Sequence, residues 1–353
     1  STLHRNVMNF YHPLTKQILL TSQNLKAMEA LALLPVNQNL ILPQVQILSS
    51  SKPFIEANTI QCSLDEIRDK HLIPTFRNNE RLISVAEFIE TVYKVIGKQY
   101  EGEQILQPNV RLSHPIKGRI PEAKHKHVSE LEDWETTLFY ERCAFVIEIP
   151  SITTTVGDNT LSLMAGGIKS YNLDQVNGKE SSNQHFQFFI GFLTKVCSNG
   201  ALWSDGYSKL VTVRQLGELH VLIHNLFEQY NASHHLHHLR RLNELEITEK
   251  QFAQIVGRAR LYPHLPNNVK NGIPSLLLGD AQLNQVVRDY YKDESFCRQE
   301  NGNINLWKLY NLFTSATKNS YIDSFLERNV NSYHFVENVR WAIENQNHNW
   351  FLN

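Results

Sequence analysis

The chain has 353 residues, 42% hydrophobic and 20% charged, enough to bury one large core or two ordinary ones, so a folded globular protein is expected rather than a disordered one. Its 34 basic and 35 acidic side chains leave a formal net charge of −1, which excludes a global field drawing it to nucleic acid or an anionic membrane; any polyanion site must be a local patch. Four scattered cysteines, Cys62, Cys143, Cys197 and Cys297, include no Cys-x-x-Cys pair, which argues against a zinc ribbon or a thioredoxin-like centre and for reduced, structural thiols.

In chain order, residues 1–58 read as a charge-poor arm rich in Gln, Asn and Ser, suited to a protein partner, with one amphipathic helix in "QNLKAMEALALL" that Pro35 stops. Residues 59–210 are expected to form a mixed, β-rich domain with one early helix, "LISVAEFIETVYKVIGKQY". There Ser84 and Glu87 have capping-box spacing, Val85, Phe88, Ile89, Val92, Val95 and Ile96 make one face, and Gly97 suits the C-terminal stop. "NVRLSHPIKG" reads as an edge strand, because Pro115 lacks the N–H that a central ladder needs. Runs at 141–152, 159–173 and 185–200 are rich in β-branched and aromatic residues, with separators that suit an antiparallel meander. Gly166 and Gly167 mark a bulge or a close backbone approach, and Asn199-Gly200 a tight turn tolerant of positive φ.

After residue 210 the apolar period changes from two to about 3.6, so residues 211–353 are expected to be a helical region packed on the sheet. Leu216, Leu219, Leu222, Ile223, Leu226, Phe227 and Tyr230 make the first stripe. Further helices are expected at 232–245, after Thr248 with Gln251 as its capping partner, after Asp280, around Leu306 to Phe313, and at 320–346. The predicted fold class is α+β: an antiparallel β-meander with a β-β-β-α core, followed by a helical C-terminal half. No run of about 18 apolar residues and no leader pattern is visible, so the expectation is a cytoplasmic protein with no membrane partner.

The stretch "NASHHLHHLRR", 231–241, raises three readings. On a helix, His234, His237 and His238 share a face at i, i+3 and i+4, suitable for two or three ligands of a zinc or non-haem metal site. "HLH" matches the His-hydrophobic-His pattern of mobile-element nickases, with Tyr290 and Tyr291 as nucleophiles, yet residues two apart on a helix point about 200° apart. The third reading is a polar helix surface: Leu236, Leu239, Leu242 and Leu245 are buried, and the histidines with Arg240 and Arg241 cover the rest. Imidazoles such as His237 then stack on bases while the arginines pair with phosphates.

The most basic window, 111–127, holds Arg111, Lys117, Arg119, Lys124 and Lys126 against one acid, Glu122, and its prolines and glycine make it a loop or β-edge that can track a phosphate backbone. Glu122-x-Lys124 lacks the upstream strand acid of a metal-dependent nuclease, Glu141 and Glu148 face opposite sides of a strand, and no phosphate-loop pattern occurs, so no cofactor is expected. Cys197 has no adjacent base, although His185 can lie near it in space.

"FIEANT", "SHPIKGRIPEA", "YERCAFVIEIPSI", "HLPNN", "FCRQENGNINLWKLYNLFT" and "RWAIENQNHNWFLN" resemble a Bacteroidetes mobile-element family of unknown function, domain-of-unknown-function family 3871. "FIGFLTKVCSNGALWSDG", with Cys197, Asn199 and Gly200 at the matching positions, is similar to the core of a broader phage and plasmid family of unknown function, family 932. The resemblance implies a setting in mobile DNA and carries over no catalytic residue. The β-β-β-α succession also looks like the core of phage single-strand annealing proteins, which implies single-stranded DNA as partner and homo-oligomeric rings or filaments. The expected function is therefore a non-enzymatic nucleic-acid-binding accessory protein, with a metal-dependent nuclease or nickase and a protein-interaction module as the alternatives. The interaction module predicts an exposed apolar patch rimmed by polar residues.

Overall fold

The computed structural model describes residues 53–70, 82–113, 115–176 and 183–353. The expected helix in "QNLKAMEALALL", nearly all of the N-terminal arm, and His114 lie outside the described residues. In chain order the elements are β1 (Ile60–Cys62), α1 (Leu64–Lys70), α2 (Val85–Gln99), β2 (Asn109–Leu112), β3 (Pro115–Arg119), β4 (Thr136–Tyr140), β5 (Arg142–Val156), β6 (Asn159–Ser170), α3 (Tyr171–Val176), β7 (Gln184–Thr194), β8 (Gly200–Ala201) and β9 (Val211–Val213). The second half carries α4 (Leu216–Gln229), α5 (Ala232–Glu244), β10 (Glu246–Ile247), α6 (Glu249–Leu261), α7 (Asn267–Lys270), α8 (Asp280–Lys292), β11 (Ile304–Asn305), α9 (Leu306–Thr317) and α10 (Ile322–Asn345).

The expected meander forms the centre of a seven-stranded antiparallel sheet ordered β1-β2-β5-β6-β7-β8, with β9 pairing the same side of β7 at its other end. Strands β6 and β7 are buried along almost their whole length. Such two-sided burial explains why their sequences read as continuous apolar runs rather than alternating ones. One face, with Phe145, Phe186, Phe188 and Ile190, packs under α2 and α4; Phe88 of α2 stands edge-on to Phe145 and Phe186 at 5.1 and 4.9 Å. The other face, with Ala144, Val146, Met164, Phe189 and Leu193, is covered by Ile322, Phe325, Leu326 and Val330 of α10 and by Phe54 and Ile55. The fold is thus α+β as predicted, with helices on both faces.

Several local expectations need correction. Ser84 and Glu87 do close a capping box on α2, but the helix runs through Gly97 to Gln99, because Gly97 is compatible with helical φ and ψ and nothing opposes continuation. "NVRLSHPIKG" is two strands: β2 lies inside the sheet between β1 and β5, and Pro115 opens β3, which pairs with β4 in a separate two-stranded sheet. The irregularity in the meander falls between Ile149 and Thr153 of β5, where Pro150 has no N–H to donate, and not at Gly166 or Gly167, whose pairing with Val146 and Phe145 is regular. Those two glycines instead permit close approach: a Cβ on Gly166 would stand 2.1 Å from the Phe145 carbonyl oxygen, and one on Gly167 2.4 Å from Phe88 Cζ. In "CSNG" the positive φ, 54°, is at Ser198, and Asn199 is buried with its Nδ2 donating to the Asn311 carbonyl at 3.0 Å.

Candidate functional site

Helix α5 begins at an Asn231 cap, whose Oδ1 accepts the His234 N–H at 2.9 Å. That start sets Leu236, Leu239 and Leu242 inward, as expected, and Leu245 half-buried. It also sends His235 into the core, completely buried, because 235, 239 and 242 follow the i, i+4, i+7 rule. The helix is therefore not polar over all its histidines. His235 Nδ1 meets the Tyr230 hydroxyl at 2.7 Å, and the ring sits among Phe192, Trp203 and Tyr333. Burial, reinforced by His238 and His234, lowers its pKa to about 3, so it stays neutral.

Two of the remaining histidines stand against half-buried Trp203, from the loop after β8, with ring centroids 4.8 Å (His234) and 5.4 Å (His238) away. His234 and His238 bring their Nε2 atoms to 3.2 Å. Glu337 of α10 stands 3.5 Å from His238 Nδ1 and is itself held by Arg340 at 2.9 Å; Arg340 also pairs with Glu344, which binds Arg241 at 2.6 Å. Burial lowers the His238 pKa, with Glu337 pulling the other way. Of the three histidines proposed for a metal, the structure brings His234 and His238 together, while exposed His237 reaches only the far side of His238, at 6.0 Å between centroids. Among the described residues no group of three or more His, Cys, Asp or Glu side chains is arranged to hold an ion.

Several of the candidate basic residues make local contacts. Arg111 turns back on β1, its guanidinium donating to Thr59 Oγ1 and O, both at 3.0 Å, and burial lowers its pKa. Arg119 donates to the Lys126 carbonyl, and Lys126 pairs with buried Glu135, whose carboxyl the Lys126 ammonium and then the Glu132 N–H hold below the usual carboxylate range. Arg240 donates to Thr154 Oγ1 at 3.1 Å. Lys117 and Lys124 stand exposed. The 128–135 stretch that leads into β4 adds Glu130, Glu132, Asp133 and Glu135 to Glu122, matching the five basic residues of the window one for one. A window count along the chain missed these acids because they lie beyond its end and fold back beside it.

An apolar surface strip lies on α4. Leu219, Ile223 and Phe227 point into the core, but Leu216, Val221 and Leu222 are 37, 55 and 37% exposed, so the predicted stripe is wider than the buried face. Val221 and Leu222, but not Leu216, line a shallow depression together with Asn183, Thr212, Val213, Arg214, Gly217 and Glu218.

The other candidates make local contacts. Tyr290 is buried, stacked on Phe252 at 3.9 Å with its hydroxyl on the Gly302 carbonyl, while Tyr291 donates to Glu249 at 2.7 Å. Cys197 is buried, which raises its pKa, and it contacts Thr194 Oγ1 at 3.2 Å. Glu141 pairs with Arg142, and Glu148 accepts from Ser162. Sequence reasoning missed one cluster: Lys169, with a fully buried side chain, meets Asp174 Oδ2 at 2.6 Å, and Asp174 Oδ1 takes His185 Nδ1 at 3.1 Å. A lysine inside a run of otherwise uncharged strand residues, followed by an acid five positions on, was the available signal.

Fold and surface together define an α+β protein whose antiparallel sheet is covered on both faces, with a histidine–tryptophan cluster and an apolar strip on its helical side. The chain belongs to the family described as "Domain of unknown function, B. Theta Gene description (DUF3871)", whose model matches residues 35–352. No curated protein and no solved structure matches it. No helix among the described residues is long and apolar enough to cross a membrane.

Proposed function

We propose that this chain is a non-enzymatic binding protein that docks a protein partner on α4. The observation that carries this is the exposure of Val221 and Leu222 in a shallow depression that Arg214, Glu218 and Asn183 also line. Such a patch is what a protein-interaction module presents, and covering each half-exposed side chain stabilises a complex by roughly 1 kcal/mol. Arg214 and Glu218, one of each sign, favour a partner with mixed polar groups over a polyanion. Partner co-purification from the native host, followed by reconstitution from purified components, tests this: Val221→Asp with Leu222→Asp is expected to abolish reconstituted binding. Undiminished binding by that variant refutes the α4 reading.

A second reading, binding of single-stranded nucleic acid, has one observation in its favour: Trp134, 68% exposed, lies in the same β3–β4 lobe as exposed Lys117 and Lys124. An exposed ring beside lysines offers a base a stacking face and a phosphate a charge. The mobile-element setting and homo-oligomeric assembly suggested by the resemblance belong with this reading. Anisotropy of a labelled single-stranded oligonucleotide at low salt tests it. Binding that Trp134→Ala and Lys117→Ala weaken supports it, and no binding at low salt, where phosphate contacts are strongest, removes it.

A further inference from the structure

We propose that His234 and His238 chelate a divalent first-row transition-metal ion, with zinc as the representative, at the Trp203 face of α5. The geometry has three parts. First, the two Nε2 atoms lie 3.2 Å apart on adjacent turns, facing each other. Two nitrogens at about 2.0–2.1 Å from zinc in a tetrahedron stand about 3.3 Å apart, and cis positions of an octahedron slightly less, so little rearrangement is needed to admit an ion. In its absence the same spacing suits one N–H···N bond between neutral rings.

Second, His238 presents Nε2 to His234 and its buried Nδ1 towards Glu337, which at 3.5 Å makes no hydrogen bond to it here and has to close by a few tenths of an ångström to make one when an ion binds. A carboxylate behind the far nitrogen of a ligating imidazole fixes the tautomer, with the proton on Nδ1 and the lone pair on Nε2, and makes that nitrogen a better donor. Glu337 is in turn fixed by Arg340 through Nε at 3.0 Å and Nη2 at 2.9 Å, so the orienting group is itself oriented. Third, Trp203 packs against both rings and is itself backed by buried His235, which limits the rotamers of the pair.

The charges facing the pair are Glu337 and, beyond it, Glu344, set against Arg340 and Arg241. They balance, so the imidazole donors and not a negative field select the ion. This favours zinc, nickel or copper(II) over magnesium or calcium, which prefer oxygen donors. Two protein ligands leave the other positions to water or to a donor from a bound partner. The inference is independent of the α4 docking face.

The test is calorimetric titration of Zn2+ into the untagged full chain. One ion per chain is expected, with His234→Ala and His238→Ala each weakening binding at least tenfold and Glu337→Gln about tenfold, the range for an orienting carboxylate. His234 is exposed, so its variant tests the site even if the His238 variant misfolds. Ni2+ should quench a fraction of the tryptophan fluorescence that Trp203→Phe removes, while leaving Zn2+ binding in place. The absence of saturable binding overturns the proposal, as does saturable binding that survives loss of both histidines.

Discussion

The Tyr230 hydroxyl lies 2.7 Å from His235 Nδ1, a neutral pair sealed in the core. Burial pushes the tyrosine's pKa well up and the histidine's down to about 3, so neither charges near neutrality. The ordinary histidine value is 6.5, so between pH 6.5 and 3 the unfolded chain binds a proton that the folded one refuses. The contribution of His235 to stability is present above about pH 6.5 and is lost as pH falls towards 3, at about 1.4 kcal/mol per pH unit. His235→Leu should flatten that part of the profile, at a neutral-pH cost on the order of 1–3 kcal/mol from the unbonded Tyr230 hydroxyl. Urea unfolding at pH 7.5, 6 and 5 reads both effects; parallel losses in wild type and variant would contradict the assignment.

Lys169 and Asp174 form a different kind of buried pair. The ammonium lies 2.6 Å from the carboxylate, 3.1 Å from the His185 carbonyl and 4.2 Å from the centre of the Phe186 ring. Burial drives the lysine pKa down and Asp174 resists that shift. Asp174→Asn strands a buried charge and is expected to cost about 3–5 kcal/mol, whereas Lys169→Met removes the charge with its partner still partly wet and should cost less. Guanidinium unfolding of the two variants decides it, and the reverse order would show that the pair does not act as described.

Two glycines should respond oppositely to alanine. Gly166→Ala drives a Cβ against the Phe145 carbonyl oxygen at 2.1 Å and Phe189 Cζ at 2.7 Å, and the paired backbone cannot yield. A loss of about 3 kcal/mol or more is expected. Gly97→Ala meets nothing within 4 Å inside α2 and should gain about 0.5–1 kcal/mol. Thermal unfolding of both separates a close-approach glycine from one in an unobstructed helix interior; destabilisation by Gly97→Ala would contradict the latter.

What the sequence made legible was whatever depends on neighbours along the chain. The Ser84–Glu87 and Thr248–Gln251 caps form as their spacing predicts, because a capping box is closed within four residues. The three central strands pair as a meander because each partner is the next strand in the chain. What depends on distant partners was hidden: Glu135 neutralising Lys126, Thr59 taking Arg111, and Glu344 taking Arg241 from 103 positions away. The histidine stretch shows both sides. Helical spacing gave the His234–His238 face, but Trp203 and Glu337, which complete it, come from other elements, and the burial of His235 follows from how α5 packs.

The most direct test of the docking claim is site-specific photo-crosslinking in the native host, with the photoreactive residue at Val221 and, for comparison, at exposed Lys250 on α6. The account predicts a discrete adduct with one protein at Val221 and none at Lys250; an adduct of twice the chain mass would name a second copy as that protein. No adduct at Val221, or the same products at both positions, would contradict the assignment of α4 as the docking face.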